Sequence, residues 1–124
     1  MRYKDLMNLK DEITLEDIKE FGQNSVEVTI NFYASPKAEP VQRKIIFDTY
    51  VSYTVLNESY TYNVDGEVYD GNLCRLYSKS HYLEYIKNIT LTEDVHPETP
   101  MIHYELVCDD HIVDIISLEE PEIR

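Results

Sequence analysis

From Ser25 to Tyr33 the side chains alternate without a break, Val26, Val28, Ile30 and Phe32 on one side and Glu27, Thr29, Asn31 and Tyr33 on the other. A period of two predicts a half-buried antiparallel strand. Upstream, Thr14-Leu15-Glu16-Asp17-Ile18-Lys19-Glu20-Phe21-Gly22 has the spacing of a short helix. Thr14 suits the N-cap, acids fill the first turn, and Gly22 suits the residue after the last turn. Leu15, Ile18 and Phe21 would then share the face that packs on the sheet.

The loop Ser35-Pro36-Lys37-Ala38-Glu39-Pro40 is bounded by two prolines, which cannot donate to a ladder, and a second strand is expected to begin near Val41. Between Val41 and Leu56 β-branched and aromatic residues run too long for one flat strand, so a bulge or bend near Asp48 or Thr49 is expected. Tyr60 to Val64 and Glu67 to Asp70 flank Asp65-Gly66, the strongest hairpin signal in the chain. With a two-residue loop Val64 faces Glu67 and Tyr62 faces Tyr69. Tyr60, Tyr62 and Tyr69 would then lie on one face with Val64 and Glu67, while Asn63 pairs with Val68 on the other. That face fits either an exposed aromatic patch or the core side.

Gly71-Asn72 predicts another turn, followed by a strand through Leu73-Cys74-Arg75-Leu76-Tyr77. Ser78 or Ser80 can cap a helix reaching about Lys87, with Tyr82, Leu83, Tyr85 and Ile86 on its apolar side. Glu93 to Pro100 reads as a loop, Met101 to Val107 and His111 to Ser117 as a hairpin around Cys108-Asp109-Asp110, and Leu118 to Arg124 as an acidic tail. The expected fold is α+β, mainly β: one curved antiparallel sheet or partly closed barrel of about six to seven strands with two short helices. No repeat or linker interrupts the chain, and 1–124 reads as a single domain.

Charge changes the picture more than composition does. The net charge is −13, but residues 1–47 hold seven basic and eight acidic residues, whereas residues 48–124 hold four basic and sixteen acidic. Ile45 to Cys74 contains no lysine or arginine, five acids (Asp48, Glu58, Asp65, Glu67, Asp70) and five tyrosines (Tyr50, Tyr53, Tyr60, Tyr62, Tyr69). A second basic-free run, Asn88 to Ile123, carries ten acids. Such a field repels nucleic acid and anionic membranes, which excludes nucleic-acid binding, and attracts basic proteins. Tyrosine adds a rigid apolar body with a polar tip, a favoured contact residue. A protein that imitates nucleic acid, its carboxylates set on a rigid sheet in a basic cleft, stays compatible with the sign.

No segment approaches the roughly 18 apolar residues of a membrane span, and Met1 to Met7 has no apolar signal region, so a cytoplasmic location is expected. In that setting Asn57-Glu58-Ser59 and Asn88-Ile89-Thr90 are chance glycosylation matches, and Cys74 and Cys108 are free thiols. Cys108-Asp109-Asp110-His111 is dense in donors, but four consecutive residues at a hairpin tip cannot converge on one metal. His103 does not complete the set, because a two-residue loop sets it opposite Ile116. The centre of a calcium loop at Asn63 to Glu67 fails at both ends, where Thr61 and Asn72 stand for acids. Cys74 beside His81 or His103 would make a nucleophile pair, but a cysteine in an apolar strand is ordinarily an inert thiol. No phosphate-binding glycine loop exists, and no metal, cofactor or catalytic residue is expected.

Ser80-His81-Tyr82-Leu83-Glu84-Tyr85, His103-Tyr104, and Val113-Asp114-Ile115-Ile116-Ser117 followed by Glu120-Pro121-Glu122-Ile123 resemble a group of small, uncharacterised acidic bacterial proteins. In that group an S-x-Y-L helix and an I-D-V-L-S…P-x-I ending recur. The resemblance spans about residues 41–124 and implies an antiparallel β-rich domain, with no activity, cofactor or site residue attached. More loosely, size and charge are similar to toxin-immunity proteins.

Two functions from different classes follow. The first is a non-enzymatic acidic protein-interaction module, of which a toxin-immunity-like inhibitor of a basic protein is one form, with Tyr60, Tyr62 and Tyr69 as anchors and Asp65, Glu67 and Asp70 as steering charges. The second is a small ligand-binding domain or enzyme without a recognisable motif. The aromatic hairpin face would serve a homo-oligomer equally well.

Overall fold

The computed structural model describes residues 1–124 as two antiparallel sheets packed face to face, with a helix on the outer side of one of them. The first sheet contains β1 (Ile13–Phe21), β2 (Ser25–Tyr33), β3 (Pro40–Phe47) and β9 (Glu122–Ile123), in the order β1-β2-β3-β9. The second contains β4 (Tyr50–Asn57), β5 (Val68–Gly71), β6 (Cys74–Lys79), β7 (Ile102–Val107) and β8 (His111–Ser117), in the order β4-β8-β7-β6-β5. Helices α1 (Tyr3–Leu6), α2 (His81–Ile89) and α3 (Thr92–Val95) complete the chain.

The alternating segment is β2, and Val26, Val28, Ile30 and Phe32 are all buried as its period requires. They meet Ile45 and Phe47 of β3 and Cys74, Tyr104, Leu106, Val113 and Ile115 of the second sheet in one core. Phe47 and Tyr104 touch edge to face across the sheets, with ring centroids 5.3 Å apart. Tyr3 and Leu6 of α1 plug this core, and the Tyr3 hydroxyl donates to the Arg75 carbonyl at 2.8 Å. A second, smaller core joins Leu83 and Ile86 of α2 to Met101 and Ile116.

Several expectations are corrected. The curved sheet or partly closed barrel of about six to seven strands is instead two open sheets with nine strands, and the two helices are three. The bend expected at Asp48-Thr49 is the corner where the chain leaves one sheet for the other. Thr14 to Gly22 is not a helix: Thr14 to Phe21 make up most of β1, because β2 offers them a ladder from Ile13↔Phe32 to Phe21↔Ser25 that is broken only at Glu16. Tertiary pairing of this kind overrides local propensity. A bulge between Leu15 and Asp17 shifts the alternation of β1, which is why its apolar spacing mimics a helical one. Leu15 and Ile18 pack against the core, but Phe21 is exposed. Gly22 has φ +63° and turns the chain into β2.

The hairpin at Asp65-Gly66 does not form. Glu58–Tyr60 is a 3-10 turn, Thr61 to Val64 belong to no strand, and β5 pairs with β6 across the Gly71-Asn72 turn. Gly71 has φ +97°, and a Cβ there would overlap the Cys74 carbonyl, so the turn needs glycine. The loop from Glu93 begins inside α3, and the acidic tail ends in β9, whose Ile123 pairs with Ile45.

Candidate functional site

The β6, β7 and β8 registers align residues in rows across the second sheet. Cys74, Leu106 and Val113 form one row and are completely buried in the main core. The next row points outward: Arg75, Glu105, Asp114 and Thr54 of β4. Two residues along lies a second outward row, Tyr69, Tyr77, His103, Ile116 and Ser52. Helix α2 covers part of this face, so side chains that an exposed sheet would give to water are enclosed.

The enclosed groups form one connected chain. Leu83 N–H donates to Ser80 Oγ at 3.1 Å, which makes Ser80 the N-cap of α2. Ser80 Oγ lies 2.7 Å from His103 Nδ1, and His103 Nε2 lies 2.6 Å from Asp114 Oδ1. Burial lowers the His103 pKa to about 4, so the ring is neutral with a single proton. The Asp114 carboxylate accepts that proton's hydrogen bond from Nε2, which leaves Nδ1 to accept from the Ser80 hydroxyl. This tautomer is assigned from the partners.

Glu105 stands directly opposite Asp114 in the ladder. Its Oε1 accepts from the Tyr77 hydroxyl at 2.8 Å and from Arg75 Nη1 at 3.3 Å. Burial raises Glu105 to about 7 and Asp114 to about 6; the facing carboxyl pushes Glu105 further up, and Tyr77 and Arg75 partly offset this. Rings frame the chain: Tyr77 stacks on His103 with centroids 4.4 Å apart, Tyr82 meets His103 edge-on at 5.4 Å, and the Arg75 guanidinium lies 4.2 Å from the Tyr69 ring centre.

Ser80, His103 and Asp114 are the residue types of a nucleophilic triad, but Ser80 and His103 are each 2% exposed and Ser80 Oγ is engaged by the helix cap. Two surface depressions, of about 290 and 420 Å3, are lined by Lys87, Glu93 and residues 96–101 and by the two termini with Asp48, and no residue of the cluster lines either. His103, Glu105 and Asp114 are also the residues that could hold a metal, with ligand atoms within 4.8 Å of one another. A cation there would break the His103–Asp114 bond beside an arginine that already supplies positive charge. The hydrogen bonds from Leu83 N–H through Ser80 and His103 to Asp114 are buried and tie the cap of α2 to the sheet.

The sequence-derived contact residues are placed differently. Tyr60 is 85% and Tyr62 82% exposed, while Tyr69 is 43% exposed on β5 and covered by Arg75. The three are not aligned on one hairpin face. Asp65 and Glu67 belong to the entry of α2: the Asp65 carbonyl meets His81 Nε2 at 2.8 Å, and Glu67 Oε2 accepts from the His81 N–H at 3.0 Å. Asp70 lies opposite Leu76 at the sheet edge. Cys74 and Cys108 are buried free thiols, and burial pushes each up to about 12, so neither pairs with a histidine as a nucleophile.

The buried chain is what sequence reasoning missed, although its signal was present. The register that sets His103 opposite Ile116 also sets Glu105 opposite Asp114, and two facing acids oppose pairing unless a proton or cation joins them. No family model, curated protein or solved structure matches the chain.

Proposed function

We propose that the chain is a non-enzymatic acidic recognition module that binds a basic protein through the segment from Asn57 to Asp70. The observation that carries this reading is the exposure of Tyr60 and Tyr62, 85% and 82%, inside a stretch without lysine or arginine. Large aromatic side chains held in solvent cost hydration free energy, and a contact surface recovers it. The imbalance of charge, concentrated in residues 48–124, steers a cationic partner towards the same half of the chain. Size and charge suit an inhibitor of the toxin-immunity type, which acts by covering a basic enzyme's cleft. Burial of Ser80 and His103, each 2% exposed, favours recognition over catalysis.

The test is capture from a native lysate at low ionic strength by the wild type and by a Tyr60→Ser/Tyr62→Ser variant, followed by association kinetics with the captured protein. Retention of a basic protein by the wild type alone, with an on-rate that falls as salt rises, is the expected result. Equal retention by the variant, or an on-rate indifferent to salt, overturns the proposal.

A further inference from the structure

β4 is the terminal strand of its sheet and pairs only with β8, so one side of its backbone is without a strand partner. Free edges template further pairing, and proteins usually blunt them with charges, bulges or brevity. The other edges here are blunted in those ways. β1 carries Glu16, Asp17, Lys19 and Glu20 and a bulge, β5 has four residues including Asp70, and β9 has two residues. β4 has eight residues, and no charge occurs from Thr49 to Asn57. Its bulge lies at the start, between Tyr50 and Ser52, and leaves Ser52 to Asn57 in unbroken register with β8. Val55 is 40% and Leu56 48% exposed, and strand alternation sends them to opposite faces.

Charge selects the occupant. A second copy would bring another net −13 to a strand that carries nothing to offset it. Asp48 precedes the strand and Glu58 follows it, and the Glu58 N–H is bonded to the Asp110 carbonyl, which brings Asp109 and Asp110 to the same end. Tyr60 and Tyr62 come directly after.

We infer that the free edge of β4 receives an extended segment of a partner as a sixth strand, apolar at alternate positions to cover Val55 or Leu56 and bearing lysine or arginine to meet the acids at the strand ends. Main-chain hydrogen bonds supply the affinity and the alternate side chains the selectivity. This rests on the recognition reading above and specifies how the partner is held.

The test uses the full chain and synthetic peptides as long as β4: alternating valine and lysine, the same peptide N-methylated at every residue, and alternating valine and glutamate. The valine–lysine peptide is expected to bind and to slow amide exchange in residues 52–57. The N-methylated and glutamate peptides are expected to bind at least about tenfold more weakly. Val55→Lys and Leu56→Lys, both at exposed positions, are expected to weaken the first peptide by about tenfold without altering exchange in the cores. Protection outside β4, equal binding of the N-methylated peptide, or equal binding of the glutamate peptide overturns the inference. Protection of the same amides by concentration alone assigns the edge to a second copy and overturns it too. If lysate capture still depends on Tyr60 and Tyr62 but ignores Val55→Lys, the strand-edge inference fails and the recognition reading stands. If Val55 governs capture and the tyrosines do not, the surface assigned above fails instead.

Discussion

His103 Nε2 donates to Asp114 Oδ1 over 2.6 Å, although neither residue is the other's register partner: His103 stands opposite Ile116, and Asp114 opposite Glu105. The bond runs diagonally between β7 and β8. It leaves Asp114 beside a second carboxyl and couples the cap of α2, through Ser80, to the centre of the sheet.

Stability should depend on pH through this cluster. Glu105 and Asp114 are raised by burial to about 7 and about 6, so their protons stabilise the fold below the ordinary carboxylate range, near pH 4, and this contribution is lost as pH rises through 6 and 7. His103, lowered by burial to about 4, opposes this: its cost at low pH is relieved as pH rises from 4 towards 6.5. Two carboxyl protons outweigh one imidazole proton, so the cluster loses stability between about pH 5 and 8. Glu105→Gln keeps an acceptor for Tyr77 and Arg75 and removes the titration. Urea unfolding at both pH values should show its pH dependence reduced by about 2 kcal/mol relative to wild type. An unchanged difference would sink the assignment.

Ser80→Ala removes the cap of α2 and the donor to His103 Nδ1 together. A lost cap costs about 1 kcal/mol and a buried unpaired ring nitrogen at least as much, so a loss of about 2 kcal/mol is expected. Exchange of the first α2 amides should quicken along with it.

Gly71→Ala tests the turn between β5 and β6. A side chain at φ +97° that also overlaps the Cys74 carbonyl should cost about 3 kcal/mol. Gly22→Ala is the control, since a Cβ there meets no atom within 4 Å. It should cost only the backbone strain, about 1 kcal/mol. Thermal unfolding of the two variants separates clash from strain.

Cys74 and Cys108 should be silent towards a thiol reagent in the folded protein at about pH 8. Both are buried with thiols pushed up to about 12, so the reactive thiolate is roughly one part in ten thousand. Both should titrate in denaturant. Rapid labelling of either in the folded state would contradict the burial.

What the sequence showed, it showed where one physical effect dominated. β2 and the β7–β8 hairpin were readable because alternation, turn spacing and burial agree there. The helix cap was readable only as Ser78 or Ser80, because both serines precede the apolar spacing; the structure gives it to Ser80, while Ser78 stays in β6 and bonds to the Val68 carbonyl. Thr14 to Gly22 misled because its bulge breaks the two-residue period, and the ladder that decides its state comes from β2. Asp65-Gly66 misled for a related reason: it is a turn, but its flanking groups bond to His81, and β5 finds its partner in β6. The tyrosine exposures could not be read because they depend on that choice of partner. The division into two sheets was legible only as a bend at Asp48, since nothing local distinguishes a bent strand from a corner.

The order of strands along the chain has a consequence during synthesis. The first three strands of one sheet are finished at Phe47, and their inner face carries Val26, Val28, Ile30, Phe32, Ile45 and Phe47. Most of the side chains that cover that face come from β6 to β8, which end at Ser117. At translation rates of about 5–20 residues per second, a nascent chain therefore carries an open apolar sheet for several seconds before its cover exists. A fragment that stops short of β6 would be a naked adhesive surface in place of a smaller protein, and the ribosome-bound chain passes through that state in every round of synthesis.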